Sequence, residues 1–541
     1  MPSTSRRELL GLLLGAPLAI QGCRRPRREF AGRIRGATVE VGHRLREANV
    51  EQATGAAQRA GVVIVGSGPA GLSAAWRLER LGFRDFVVLE LEPQPGGTSA
   101  YGTDGVAPYP WGAHYVPLPE PSNRALTALL DEIGALEHTP DGALRGKETL
   151  LIREPEERLF LDGSWHAGLF PEAVASADDL AELARFNREI VRLTGLRDAR
   201  GRRAFALPMS RCSDDAELTA LDRVSARRWL DDHGFVSPRL RWFVEYACRD
   251  DYGLLLEHTS AWAMFFYFAA RATGPGQTAP FLAWPEGNGR LVRHLSAVAG
   301  ARLLTSRLVT DVVPEPDAVS VSAFDVRTST LVRYRAEQVI LAVPQFVVPR
   351  LLRPWRDAPP PHVAGFSYGS WLVANLHLRA RPKSPGFPFA WDNVLYDSPS
   401  LGYVVATHQQ HTDVGPTVWT YYLPLIDADP AAARRRLLAG DHTGYCDAIL
   451  ADLVRAHDGL EAAIERIDVW RWGHAMIRPT PGFIWGPARR RAADAFGRVH
   501  FAHSDLSGLA LFEEAQDRGV RAAEAVLRAR GQDPPRLGSD A

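Results

Sequence analysis

The most restrictive feature of the chain is a six-residue run, Gly66-Ser67-Gly68-Pro69-Ala70-Gly71, set directly behind the apolar stretch Gly61-Val62-Val63-Ile64-Val65. The apolar stretch reads as a buried strand, Leu72 to Leu81 continues with helical spacing, and Phe86-Val87-Val88-Leu89-Glu90 reads as a second strand. Strand, glycine turn, helix and strand within roughly 30 residues make the βαβ unit that binds a dinucleotide. Gly66 permits the tight turn, Gly68 lets the backbone approach a pyrophosphate, and Gly71 lets the helix lie close to the strand. The loop as a whole, Ser67, Pro69 and Ala70 included, is expected to hold the phosphates on the free N–H groups of the helix start. Glu90, 19 residues after Gly71, stands where a carboxylate accepts from ribose hydroxyls.

The remaining composition bounds the answer. At 541 residues and 46% hydrophobic, the chain is long enough for two or three interlocked lobes with a large core. Acidic and basic residues cancel at 63 each, so no global field points to nucleic acid. Beyond the leader no apolar run approaches about 18 residues, so no spanning helix is expected there. Cys212, Cys248 and Cys446 have no paired spacing, which argues against a disulfide framework and against a structural metal site. Lysine occurs only at 147 and 383.

Residues 1–23 read as an export leader. Ser5-Arg6-Arg7-Glu8-Leu9-Leu10 has the twin-arginine pattern, and the apolar stretch from Leu9 to Ile20 suits a signal segment. Ile20-Gln21-Gly22-Cys23 resembles a lipobox, which would tether a periplasmic or envelope protein to a membrane surface through Cys23. Twin-arginine export of already folded proteins suits a chain that takes up its cofactor before transport. Residues 24–60 read as a linker.

Further motifs carry a family resemblance. Glu90-Leu91-Glu92-Pro93-Gln94-Pro95-Gly96-Gly97 resembles the glutamate-to-double-glycine extension of the flavin-containing amine oxidase and phytoene desaturase superfamily. Trp284-Pro285-Glu286-Gly287-Asn288-Gly289-Arg290 and Gln338-Val339-Ile340-Leu341-Ala342-Val343-Pro344 resemble its central helix entry and strand. His503-Ser504-Asp505 with Phe512-Glu513-Glu514-Ala515 resembles its closing strand and helix. The resemblance implies an α/β fold: a Rossmann-like FAD-binding domain from 60–120, 281–350 and 490–530, with an inserted mixed α+β substrate domain from 121–280 and 351–489. It implies non-covalent FAD, since no cysteine lies near the closing motif. Leu91, Gly96, Gly97 and Thr98, then Gly112, Ala113 and His114, Val309 at the adenine, and Ser504, Asp505, Glu514 and Ala515 are the expected contacts.

Within the superfamily a hydride passes from substrate to flavin, so few catalytic side chains are expected. His114 and His474 are the candidates. His114 either shuttles a proton beside the ring or hydrogen-bonds a loop, and His474 carries the same two readings. Arg249-Asp250-Asp251-Tyr252 either grips a cationic amine or is a helix-end charge cluster. The apolar helix through Trp262 and Phe268 is either core or a pocket wall. Amine oxidases commonly place a lysine near the flavin and an aromatic cage over it, but Ser370 to Asn375 carries no lysine and Leu511 replaces an aromatic residue. The expected function is an exported FAD-dependent oxidoreductase, amine-oxidase-like. It would take a hydride from a C–N or C–C bond of an amine or apolar donor, with oxygen or a quinone as acceptor. The alternative is a desaturase or isomerase type, or a non-redox flavoprotein acting as a binding partner.

Overall fold

The computed structural model describes residues 29–46, 56–140, 144–274, 277–384, 386–410, 412–535 and 537. The leader, its twin-arginine motif and Cys23 lie outside them. Gln58–Val65 is the central parallel strand of a seven-stranded sheet, flanked in register by Phe86–Leu89 and by Thr330–Leu341. Val62, Val63 and Ile64 are fully buried because helices cover both faces of the sheet, as parallel sheets require. Val319–Asp325 and Arg307–Pro314 extend the sheet antiparallel, and Val499–Phe501 returns from the far end of the chain beside Thr330–Leu341.

The helix Pro69–Arg80 starts with proline at its first position, where a missing N–H costs nothing, and has no side-chain cap. Its first-turn amides are therefore left for another partner. The closing helix Phe512–Ala529 crosses it at Gly519, where an added Cβ would sit 2.1 Å from the Ala70 carbonyl oxygen.

The second sheet has eight strands, with Tyr368–Leu378 buried along its whole length between Ile464–Ile477 and Thr417–Leu425. Glu157–Leu161 and Asp392–Leu395 pair parallel near its other edge. Ala177–Gly195, Pro238–Tyr252 and Ala261–Ala269 pack into an aromatic-rich cluster that includes Phe186, Trp229 and Trp262. Buried hydrogen bonds join the two sheets' surroundings. Asn375 Nδ2 donates to the Pro110 carbonyl at 3.0 Å, Trp472 Nε1 to the Trp111 carbonyl at 2.6 Å, and Tyr368 Oη to Asp505 at 2.5 Å.

Two expectations need correcting. The stretch read as a linker is partly built into the fold: Ile34–Gly36 pairs parallel with Val469–Arg471 and covers an otherwise open sheet edge. Thr38 then donates from its amide and hydroxyl to Glu92 at 2.8 and 2.6 Å. Ala226–Asp232 and Pro238–Tyr252 are separate helices, because Gly234 adopts φ 63° and Pro238 opens the second one. The apolar helix is both things at once: Trp262 to Phe266 is core, while Tyr267 faces a cavity described below. Among the described residues no helix is long and apolar enough to cross a membrane.

Because Gly519 meets backbone rather than a yielding side chain, Gly519→Ala should cost about 1–3 kcal/mol of overpacking. A thermal midpoint several degrees below that of the parent would show it.

Candidate functional site

The turn after the first strand folds as its glycines dictate. Gly66 has φ 97°, and a Cβ there would lie 2.5 Å from the Ala342 carbonyl oxygen. A Cβ on Gly71 would lie 2.0 Å from the Gly66 oxygen, so loop and helix are locked by backbone contact. At Gly68, by contrast, nothing lies within 4 Å of where a Cβ would project. The loop thus presents bare backbone and the helix start to open space, which is the cradle a pyrophosphate needs.

That space is a cavity of about 330 Å³. Gly66, Gly68, Pro69, Ala70, Glu90 and Leu91 line it, together with Ser504, Asp505 and Ala515. Gly97, Thr98, Ala113 and Val309 face the same cavity. Glu90 accepts from the Ser67 amide and hydroxyl at 2.7 and 2.6 Å and from the Glu92 amide at 2.8 Å. Ser67 therefore orients Glu90 and does not line the cavity itself. Gly71 and Gly96 likewise support from behind, Gly96 by donating its amide to the Ser67 carbonyl.

Asp505 is held by the Gln345 amide at 2.8 Å, by Tyr368 and by His503 Nδ1 at 2.9 Å. Burial alone would raise its pKa, but these partners outweigh burial and keep it below the usual carboxyl value. Glu514 departs from expectation. It is fully buried behind the cavity, takes the Met209 amide at 2.5 Å, and burial pushes it up to about 7. The helix phase places Ala515, not Glu514, on the cavity.

A second chamber of about 210 Å³ adjoins the first, sharing Thr98, Ala113, Trp472, Ala475, Leu511 and Phe512 with it. Gly112 and His114 line this second chamber. His114 Nε2 contacts Tyr422 Oη, and that hydroxyl donates to the Gly112 carbonyl at 2.6 Å. The arrangement assigns the ring proton to Nε2 and leaves Nδ1 as acceptor. Burial pushes His114 down to about 3, so it is a neutral imidazole, not a shuttle titrating near neutral pH. His474 stacks on Phe346 at 4.0 Å and lines the first cavity only. Burial, with Arg434 and Arg46 nearby, pushes it to about 3, so it packs beside the cofactor space and does not face the substrate.

The second chamber is rich in acidic side chains. Glu156, Glu157, Asp250, Asp251, Asp392 and Glu513 line it, and among the described residues Arg271 is the only arginine or lysine beside them. Arg271 is bound to Asp251 at 3.0 and 2.9 Å. Tyr246 donates to Asp392 at 3.0 Å, and burial pushes Asp392 up to about 7. Burial likewise brings Glu513 to about 7, and burial with neighbouring acids holds Asp250 and Glu157 well above the ordinary range. Aromatic walls are supplied by Trp371, Trp391, Tyr422 and Trp472. The strand that lacks a lysine does reach this chamber, through Val373, and neither lysine of the chain lines it.

A family model for flavin-containing amine oxidoreductases matches residues 69–527. The chain belongs to that family. Putrescine oxidase with putrescine bound has a similar fold, at TM-score 0.65 and 19% identity, over 87% of this chain and 100% of that one. Cyclohexylamine oxidase from Brevibacterium oxydans matches at TM-score 0.61 and 16% identity, over 87% of this chain and 100% of that one. A fatty acid isomerase from P. acnes matches at TM-score 0.61 and 15% identity, over 85% and 97%. Among curated proteins no sequence matches. This amine oxidoreductase is FAD-dependent; the three described cysteines are buried and line neither chamber.

The residues fit that cofactor. Gly68 offers bare backbone that would hold the phosphates, Glu90 a carboxylate that would accept from the ribose and Val309 a strand backbone for the adenine, and Asp505 lines the same cavity. The acids of the substrate chamber were largely missed in the sequence. Asp250 and Asp251 had raised the amine question, but Glu157 and Asp392 open two short strands, each followed by a polar residue, and nothing local in the sequence sets them apart.

Gly68→Val should fill the open cradle, and the purified protein should then lack the flavin bands at 370–450 nm (roughly, for any flavoprotein) while keeping its far-ultraviolet spectrum. Asp392 has a folded pKa above its ordinary 3.8, so it subtracts stability as pH rises from about 4 to about 7. Asp392→Asn should therefore leave the thermal midpoint nearly unchanged at pH 4 and raise it at pH 8.

Proposed function

We propose that this chain is an exported enzyme that oxidises an amine at the carbon next to nitrogen. The observation that carries this reading is the excess of carboxylates in a chamber that opens directly onto the cofactor cavity. A cationic amine supplies the counter-charge that lets these buried acids ionise, and it is desolvated against the aromatic walls. An anionic fatty acid brings no such counter-charge, so the isomerase-type reading is disfavoured by the same residues. Bound FAD supplies the two-electron oxidant. The protein's own contribution is to hold the amine at the junction formed by Trp472, Leu511 and Phe512, and to exclude water from it.

An ammonium must lose a proton before the neighbouring carbon can give up hydride. Glu513 follows the two junction residues directly and titrates near 7, which suits a base working at neutral pH. Neutral His114, tied to Tyr422, fixes the chamber wall and is too weakly basic for that task. Electrons leave to oxygen or to a membrane quinone. The leader supports twin-arginine export to the periplasm or envelope, with Cys23 as a lipid tether; Arg6→Lys with Arg7→Lys should retain the protein in the cytoplasm.

The test is anaerobic mixing of the holoenzyme with a panel of amines, polyenes and fatty acids. Amines are expected to bleach the flavin, and a panel in which only non-amines do so overturns the proposal. With a bleaching amine, the reduction rate should rise with pH through about 7, as Glu513 loses its proton. Glu513→Gln should slow reduction by about 100-fold and remove that rise.

A further inference from the structure

Resting on the amine reading, we propose that Asp250, Glu157 and Asp392 form a subsite for a second ammonium group, making the substrate a flexible di- or polyamine. The three acids are brought together by the fold and not by the chain. Glu157 and Asp392 are register partners on adjacent parallel strands, so their side chains emerge on one face about 4.8 Å apart. Tyr246 reaches Asp392 from the helix Pro238–Tyr252, and Asp250 lies one turn further along the same helix face. Among the described residues none of the three acids forms an ion pair, whereas Asp251 beside them is neutralised by Arg271.

Folding gains nothing from this placement. Asp250 sits in the last turn of its helix, the end whose dipole disfavours an anion. It also lies within the field of Asp251 and Asp392, and Glu157 lies within the field of Asp392, Glu156 and Asp250. Like charges held together in a buried chamber cost stability unless a cation joins them.

A separate carboxylate serves the other end. Glu513 is 5% exposed and lines the chamber, and among the described residues its carboxyl is bonded only to its own amide. Its charged neighbours are Arg271 and Asp251, not the strand acids. One ammonium at the junction satisfies Glu513 and leaves the acid cluster unanswered. Trp371, Trp391 and Tyr422 line the same chamber and suit an aliphatic spacer. The chemistry therefore calls for two cationic nitrogens joined by methylenes.

The test compares 1,4-diaminobutane and spermidine with 1-aminobutane on the intact holoenzyme, reading half-saturation of anaerobic flavin bleaching. The polycations should half-saturate at concentrations roughly 10- to 100-fold lower, the value of one charge-assisted contact. Asp250→Asn and Glu157→Gln should each bring the diamine-to-monoamine ratio toward one; removing a repelled carboxylate should not impair folding, and a normal flavin spectrum verifies this. Equal half-saturation for mono- and diamine in the parent, or variants that keep the ratio, would overturn the subsite. If no amine bleaches the flavin, the amine-oxidation reading fails by itself, and calorimetric titration of the oxidised holoenzyme with the same three compounds still decides. Tighter binding of the polycations upholds the subsite, and equal or absent binding refutes it.

Discussion

The contact on which the rest of the molecule depends is that between the backbone of Gly71 and the carbonyl of Gly66, so close that a single methyl group could not fit between them. It sets the angle at which the first helix leaves the sheet, and with it the direction of the helix start. The same helix is approached from the other side by Gly519, which seats the closing helix and carries Phe512 and Ala515 to the cavity. Two contacts without side chains thus seat the two helices that face the cofactor space, although their sequences lie more than four hundred residues apart.

Beside that cavity the second lobe adds a chamber crowded with acids. Proteins seldom bury carboxylates without partners, because desolvation disfavours their charge. Here the cost is concentrated in one place, on strands and helices that are otherwise well packed. The contrast with Asp505, held by three separate donors, shows that the fold can satisfy a buried acid where position alone is wanted. Among the chamber acids Asp251 has Arg271 and Asp392 has a single tyrosine donor, and burial raises both.

The cofactor end was legible because its chemistry is local. Gly66, Gly68, Gly71 and Glu90 belong to one βαβ unit whose spacing is dictated by a diphosphate, and Asp505 with Ala515 sits in a second short motif. Glu514 was misread since neighbouring helix positions differ by about 100° in direction, and a motif alone does not fix which of two residues turns inward. The substrate end was mostly illegible. Glu157 and Asp392 are over two hundred residues apart and meet only through strand pairing. Burial, which decides that His114 stays neutral, is likewise a property of the assembled chamber. Residues 34–36 were read as tether because three residues of weak strand character say little until the sheet edge they cover is known.

The bonds from Asn375 to Pro110, from Trp472 to Trp111 and from Tyr368 to Asp505 have a mechanical consequence. Two are buried and the third is partly so, and each ties a strand of the eight-stranded sheet to a segment beside the two cavities. Any displacement of that sheet away from the cavities has to break all three, so the walls they join hold their spacing together.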